Sequence, residues 1–218
     1  MLERNSMARI ATALCLTFFF AVSLFAAPST SSPTPVPAGP SKQQQSLGHF
    51  QKGLEHRDKA WEYEEKAAKA SNDKDREKNL AKAQKEYQQA VKEQIQATFK
   101  DPKLYQAYSS LGYASRKLGQ YDAALTAYDK ALAIEPNYTE AIEYRGEAYL
   151  GLNRVAEAQE AYELLFKRDP ERAAQLLRAF SAWIAEREGY DPVRAWIEQK
   201  QQIAQEMGGA KGDKPGDW

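Results

Sequence analysis

Two histidines, one cysteine and a short acidic run are the residues whose chemistry would matter most if folding brought them together. His49 and His56 stand seven residues apart. On one helix that is two turns, or about 10 Å along the axis. Two ligands to one metal from a single helix normally stand one turn apart, so this pair does not mark a metal site. Cys15 lies inside an apolar stretch near the amino terminus and follows Leu14, a poor context for lipid attachment. If that stretch is removed, the chain has no cysteine, and therefore no disulfide, thiolate nucleophile or cysteine-ligated metal. No His-Glu-x-x-His, Gly-x-Ser-x-Gly or phosphate-loop pattern is present. The expectation is a chain with no catalytic residue, no metal and no cofactor. The acidic run remains. Glu140, Glu143 and Glu147 are spaced by three and four and so share one helical face. Such a face is either solvated surface or one wall of a binding site, and the elements that carry it decide which.

The chain has 218 residues, with 30 Lys+Arg against 30 Asp+Glu. That balance argues against nucleic acid as a partner, because phosphate binding needs a net basic face. Arg4 and Arg9 precede "IATALCLTFFFAVSLFAA", from Ile10 to Ala27, which has the form of a secretory signal. Residues 1–27 are read as that signal, with Met7 as an alternative start and a mature chain beginning near Ala27. An uncleaved membrane anchor is the rival reading, since the stretch is about long enough to span a bilayer. The protein is expected to be exported, periplasmic or secreted, and to contact a membrane only through this segment if it stays uncleaved. Residues 28–46 hold five prolines and many Ser/Thr with no aromatic, and are expected to be a disordered linker. Residues 208–218, rich in glycine and charge, are expected to be a disordered tail.

The stretch between, 47–207, reads as helical throughout, with no sustained alternation of β-branched residues. Its punctuation is periodic. Pro102, Pro136 and Pro170 stand thirty-four residues apart, as do Gly112 and Gly146, Ala124 and Ala158, and Tyr128 and Tyr162. A fixed period of this size marks a repeat array. The expectation is two clear units, 103–136 and 137–170. An extended divergent unit at 47–102 precedes them, and capping helices at 171–207 follow. In the extended unit Tyr87 and Ala90 hold the places of Tyr121 and Ala124, and Gly53 and Trp61 lie on its first helix. About 25 residues more than a standard pair fit two helices lengthened by roughly three turns each. Glu62–Lys66 and Glu65–Lys69 support the first of them at one-turn spacing.

These residues resemble the tetratricopeptide repeat. Tyr108, Leu111 and Gly112, then Ala124, Tyr128, Ala131 and Pro136, follow its aromatic-x2-Leu-Gly, Ala-x3-aromatic and Pro positions. The second unit keeps Gly146, Tyr149, Ala158, Tyr162 and Pro170 but has Ile142, Arg145 and Leu165 at other signature places. The resemblance implies an all-α fold, a short right-handed α-solenoid of helix pairs with an amino-terminal hairpin and a helical cap. Gly112 and Ala124 are then the small residues at a close helix crossing, and Tyr128 is core. It also implies a non-catalytic adaptor that binds a protein or extended peptide on the concave surface, not a small molecule. The groove residues expected on that basis are Gln106, Ser109, Tyr113 and Arg116, followed by Glu140, Glu143 and Glu147. Some members clamp a terminal carboxylate with lysine and asparagine. Here Ser109, Tyr113, Glu143 and Glu147 occupy those places, so the clamp is missing and a chaperone-tail receptor is not expected. The alternative is an envelope assembly subunit that self-associates through the charged hairpin.

Overall fold

A computed structural model describes residues 39–185 and 187–210. It consists of eight helices: α1 Lys42–Ala68, α2 Asp73–Lys100, α3 Tyr105–Lys117, α4 Tyr121–Ile134, α5 Thr139–Gly151, α6 Val155–Arg168, α7 Pro170–Ala185 and α8 Asp191–Ala210. No strand occurs among the described residues. The signal or anchor at 10–27 lies outside them, as do most of the 28–46 linker and residues 211–218 of the tail. At two boundaries the helices run further than expected. The first starts at Lys42 instead of near 47, because Ser41 and Gln44 form a capping box: Gln44 N–H donates to Ser41 Oγ at 3.2 Å, and Ser41 N–H donates to Gln44 Oε1 at 2.8 Å. The last extends to Ala210, past the expected end at 207.

The α1–α2 hairpin is built on a seam of small residues. Ser46, Gly53, Ala60 and Ala67 are buried at seven-residue intervals along α1. They face Ala83, Tyr87, Ala90, Gln94 and Ala97 of α2. Small residues at the contact let two long helices approach closely over their full length. Two polar groups on the seam bond across it: Ser46 Oγ donates to the Ala97 carbonyl at 2.9 Å, and Gln94 Nε2 to the Phe50 carbonyl at 3.2 Å, while Gln94 Oε1 and the Tyr87 hydroxyl are buried without a partner among the described residues.

The pairs α3–α4 and α5–α6 repeat one construction. Gly112 is buried in α3 with the Tyr128 ring of α4 against it, and Ala124 and Ala131 are fully buried on either side of Tyr128. Each first helix ends in a left-handed residue, Gly119 with φ 75° and Asn153 with φ 58°. Gln120 N–H returns to the Ser115 carbonyl and Arg154 N–H to the Tyr149 carbonyl, both at 2.9 Å, which closes the helix end. Pro136 sits in the turn between α4 and α5, whereas Pro170 opens α7 as its first residue. Pro170 lacks only an N–H that a helix start leaves free.

The first helices α1, α3, α5 and α7 each touch the next in series, while α2, α4 and α6 do not touch one another. The stack is therefore tight on one side and splayed on the other, which curves it with the first helices on the inside. The core thickens toward the carboxyl end, where Leu165, Leu176 and Phe180 are fully buried and Trp196 of α8 packs on Tyr162 and Phe180 at 5.1 and 4.9 Å between ring centroids.

Candidate partner-binding groove

The inner side of the curve holds a cavity of about 520 Å³. Its floor is small and apolar: Leu150 and Gly151 at the end of α5, with Ala179 and Ala182 on α7. Trp183 and Arg187 close one side, and Glu64 of α1 with Lys117 of α3 close the other. The left-handed turns position this floor. They bring Tyr121, first residue of α4, so close over Gly151 that any side chain there would meet its ring. The walls are charged but internally paired. Lys117 Nζ lies 2.8 Å from Glu64 Oε1, and Arg116 Nη1 lies 2.5 Å from Glu147 Oε2. Arg187 stacks on Trp183 with its guanidinium carbon 4.5 Å from the ring centroid, and its Nη1 donates to the Trp183 carbonyl.

The structure brings only two of the seven expected groove residues, Arg116 and Glu147, to this cavity. Gln106 and Glu140 are half-buried on the first turns of α3 and α5. Ser109 and Glu143 hold equivalent places in successive repeats and are buried, at 0% and 2% exposed, so neither offers a surface to a partner. The correction has a physical cause. A first helix in a solenoid packs against its own pair and also against the first helices before and after it. The row opposite its main apolar stripe is therefore partly interior.

Glu143 is held by Arg172 of α7, whose Nη1 lies 2.5 Å from its Oε2, while Arg172 Nη2 reaches Glu140 Oε2 at 3.3 Å. Burial raises the Glu143 carboxyl above the usual range, and the Arg172 hydrogen bond opposes that shift. The acidic run is thus consumed inside the molecule: Glu140 and Glu143 by Arg172, Glu147 by Arg116. Arg172 stands one repeat after Tyr138 and two repeats after Leu104. A basic residue in a position otherwise apolar was the sequence signal for this contact.

Tyr113 is also engaged. Its hydroxyl accepts a hydrogen bond from Trp61 Nε1 at 2.6 Å. Its ring meets Trp61, Tyr87 and Tyr144 at 5.9, 6.2 and 5.0 Å between centroids. Arg116 stacks over Tyr113 and Tyr144 at 5.2 and 5.4 Å. This cluster ties the hairpin to the solenoid, and burial pushes the Tyr144 hydroxyl up to about 12. The two histidines are half-buried and bonded across the hairpin. His49 Nδ1 lies 2.7 Å from Glu93 Oε2, and His56 Nδ1 lies 2.6 Å from Glu86 Oε2. Among the described residues no group of three His, Cys, Asp or Glu side chains could hold a metal ion.

Paired helices in a curved stack, with a charged and aromatic inner groove, define an interaction solenoid. Residues 105–138 and 145–172 each match the tetratricopeptide repeat family, so the chain carries two tetratricopeptide repeats. It is 35% identical over 66 residues to the uncharacterized protein ycf37 of Guillardia theta, a match over 30% of this chain and 37% of that one. The chain thus spans little more than a third of that relative's length. Among solved structures, it is similar to the first tetratricopeptide domain of human RPAP3, with 18% identity, TM-score 0.48 and coverage of 66% of this chain and 99% of that one. It is similar to the Sgt2 tetratricopeptide domain of Aspergillus fumigatus, with 20% identity, TM-score 0.42 and coverage of 83% and 93%.

Proposed function

We propose that this protein is an exported, non-catalytic adaptor that takes an extended segment of a partner protein into the inner groove between Leu150 and Trp183. The supporting observation is the cavity of about 520 Å³ on the inner side of the repeat stack, with a small-residue floor and walls of paired charge. Because Glu64–Lys117 and Arg116–Glu147 neutralise each other, the groove does not call for a basic ligand. It suits a segment with one large apolar side chain over Ala179 and Ala182, flanked by polar groups able to exchange partners with the wall. Export rests on the form of residues 1–27.

A photo-crosslinking residue at Lys117 tests the groove in the native host. Its crosslinked products are identified by mass spectrometry in the presence and absence of Ala182→Trp, which fills the cavity floor. The expected result is a discrete protein adduct that Ala182→Trp abolishes. An adduct indifferent to that substitution, or none, overturns the groove. Amino-terminal sequencing of the extracellular or periplasmic fraction tests export: a chain beginning near Ala27 is expected, and an intact Met1 or Met7 in a membrane fraction contradicts cleavage.

A further inference from the structure

The solvent face of α2 is one-sided in charge. Between Lys78 and Phe99 every exposed residue of this helix is lysine, glutamine, leucine, isoleucine, alanine or phenylalanine. The two acids in that span, Glu86 and Glu93, turn inward to His56 and His49. Lys78, Lys85 and Lys92 follow one another at seven-residue spacing, about 10 Å apart along one side of the helix. None of them forms an ion pair among the described residues; on α1 Lys66 pairs with Glu62 one turn earlier, while Lys52 and Lys59 are likewise unpaired there. The same line ends seven residues further on at Phe99, which is 76% exposed, with Ile95 beside it at 47%. A row of unpaired lysines that runs into two protruding apolar side chains is an amphipathic surface with no partner in the fold.

We infer that this face of α2 docks on an anionic lipid bilayer, with Phe99 and Ile95 entering the headgroup layer and Lys78, Lys85 and Lys92 lying over it. Lysine is a compact, strongly hydrated charge without the planar fork that selects individual carboxylates, so an even row of it suits a diffuse anionic surface better than a particular acidic protein. Phe99 and Ile95 border an apolar groove shared with Tyr108, Leu111 and Ala123, which adds to the apolar area able to meet an interface. This surface lies on a second helix, outside the stack of first helices that forms the groove, and does not depend on groove binding.

Vesicle co-sedimentation of the full chain tests the inference. Vesicles of neutral phosphatidylcholine alone are compared with vesicles in which phosphatidylglycerol replaces part of it, so that any binding by the amino-terminal segment appears in both. The anionic vesicles are expected to bind more tightly. The increment should fall by at least tenfold in Lys78→Glu/Lys85→Glu/Lys92→Glu, since each basic residue near such a surface is worth about fivefold. It should shrink at high salt. Phe99→Ser should weaken binding to anionic vesicles while leaving the salt dependence unchanged. Circular dichroism and urea unfolding confirm that the variants fold. An absent increment, or one that the triple reversal leaves intact, overturns the inference. So does tight, lysine-dependent binding to soluble poly-glutamate without vesicle binding, which would assign the face to an acidic protein.

Discussion

The Tyr128 ring lies so close over Gly112 that a β-carbon there would stand 2.5 Å from Tyr128 Cε1. One repeat earlier, Gln94 takes the place of Tyr128 and lies over Gly53 in the same way. The long hairpin is therefore the same construction with a flexible side chain in place of a rigid ring. Gly112→Ala should cost about 1–3 kcal/mol, because a ring fixed among buried neighbours has nowhere to go. Gly53→Ala should stay within about 1 kcal/mol of the parent, because Gln94 can swing aside at the loss of its bond to Phe50 and alanine gains helix propensity. Urea midpoints decide, and equal losses would show that Tyr128 repacks freely. Ala124→Leu, at a fully buried crossing, should cost about 1–3 kcal/mol in the same assay.

Trp61 and Tyr113 hold the hairpin onto the repeats. Tyr113→Ala removes the hydroxyl that accepts from Trp61 and three aromatic contacts, and should cost about 2–4 kcal/mol. Trp61→Phe keeps a ring and loses the donor, for about 1 kcal/mol. Hydrogen exchange should quicken along α1 more than along α7 in Tyr113→Ala. Uniform quickening would mean the hairpin is not a separately docked unit.

The repeat was readable because its signals are local and recurrent: proline at the end of each unit, small residues at the crossings, and Tyr128 and Tyr162 in the same slot. The long hairpin was readable from Tyr87 and Ala90 and from the surplus of residues. The groove was harder. A helical wheel around Tyr108 and Leu111 places Ser109 and Glu143 away from the core, but the wheel knows nothing of the next helix in the stack. The hairpin histidines carried a legible sign that single-helix reasoning passes over. His49 and His56 are seven apart, and so are Glu86 and Glu93 on the antiparallel partner. Matched spacing on the two arms of a hairpin is a cross-helix pairing signal, not a metal one.

Asp169 caps α7. It accepts from the Thr139 hydroxyl at 2.8 Å and from Arg172 N–H at 3.2 Å, and these bonds hold its carboxyl below the usual range. A depressed carboxyl contributes stability that is present above its unfolded value and lost as pH falls through its folded value. Asp169→Ala should cost about 1 kcal/mol near neutral pH, as loss of an N-cap does. Asp169→Asn, which keeps the shape, should fall short of the parent by an amount that is flat from pH 6 to 8. That gap should narrow below about pH 4. Thermal melts across that range read it, and a gap that widens in acid contradicts the assignment.

Arg172 should be the most sensitive charged residue in the chain. Its guanidinium lies against Glu140, Glu143 and Asp169 at once, with the Glu143 side chain only 3% exposed. Removing one partner of a buried pair leaves the other charge without compensation, which costs more than the pair itself contributes. Arg172→Ala should therefore lose about 2–4 kcal/mol at neutral pH, scaled down from a fully buried pair because Arg172 is a quarter exposed. The loss, like that at Asp169, should be larger at neutral pH than in acid, but for a different reason. Burial raises the Glu143 carboxyl, so the neutral form is favoured in the folded state and stability falls as pH rises through its folded value. Without Arg172 the value rises further, and the defect of Arg172→Ala should grow from acid to neutral pH. Adding Glu143→Gln to Arg172→Ala should recover most of the loss and flatten its pH dependence, because an amide leaves no buried charge behind. Urea unfolding of the two single variants and the double at pH 4.5 and pH 7.5 closes the cycle. A double variant as weak as Arg172→Ala at both values would assign the loss to packing of the arginine stem between α5 and α7 and remove Glu143 from the account.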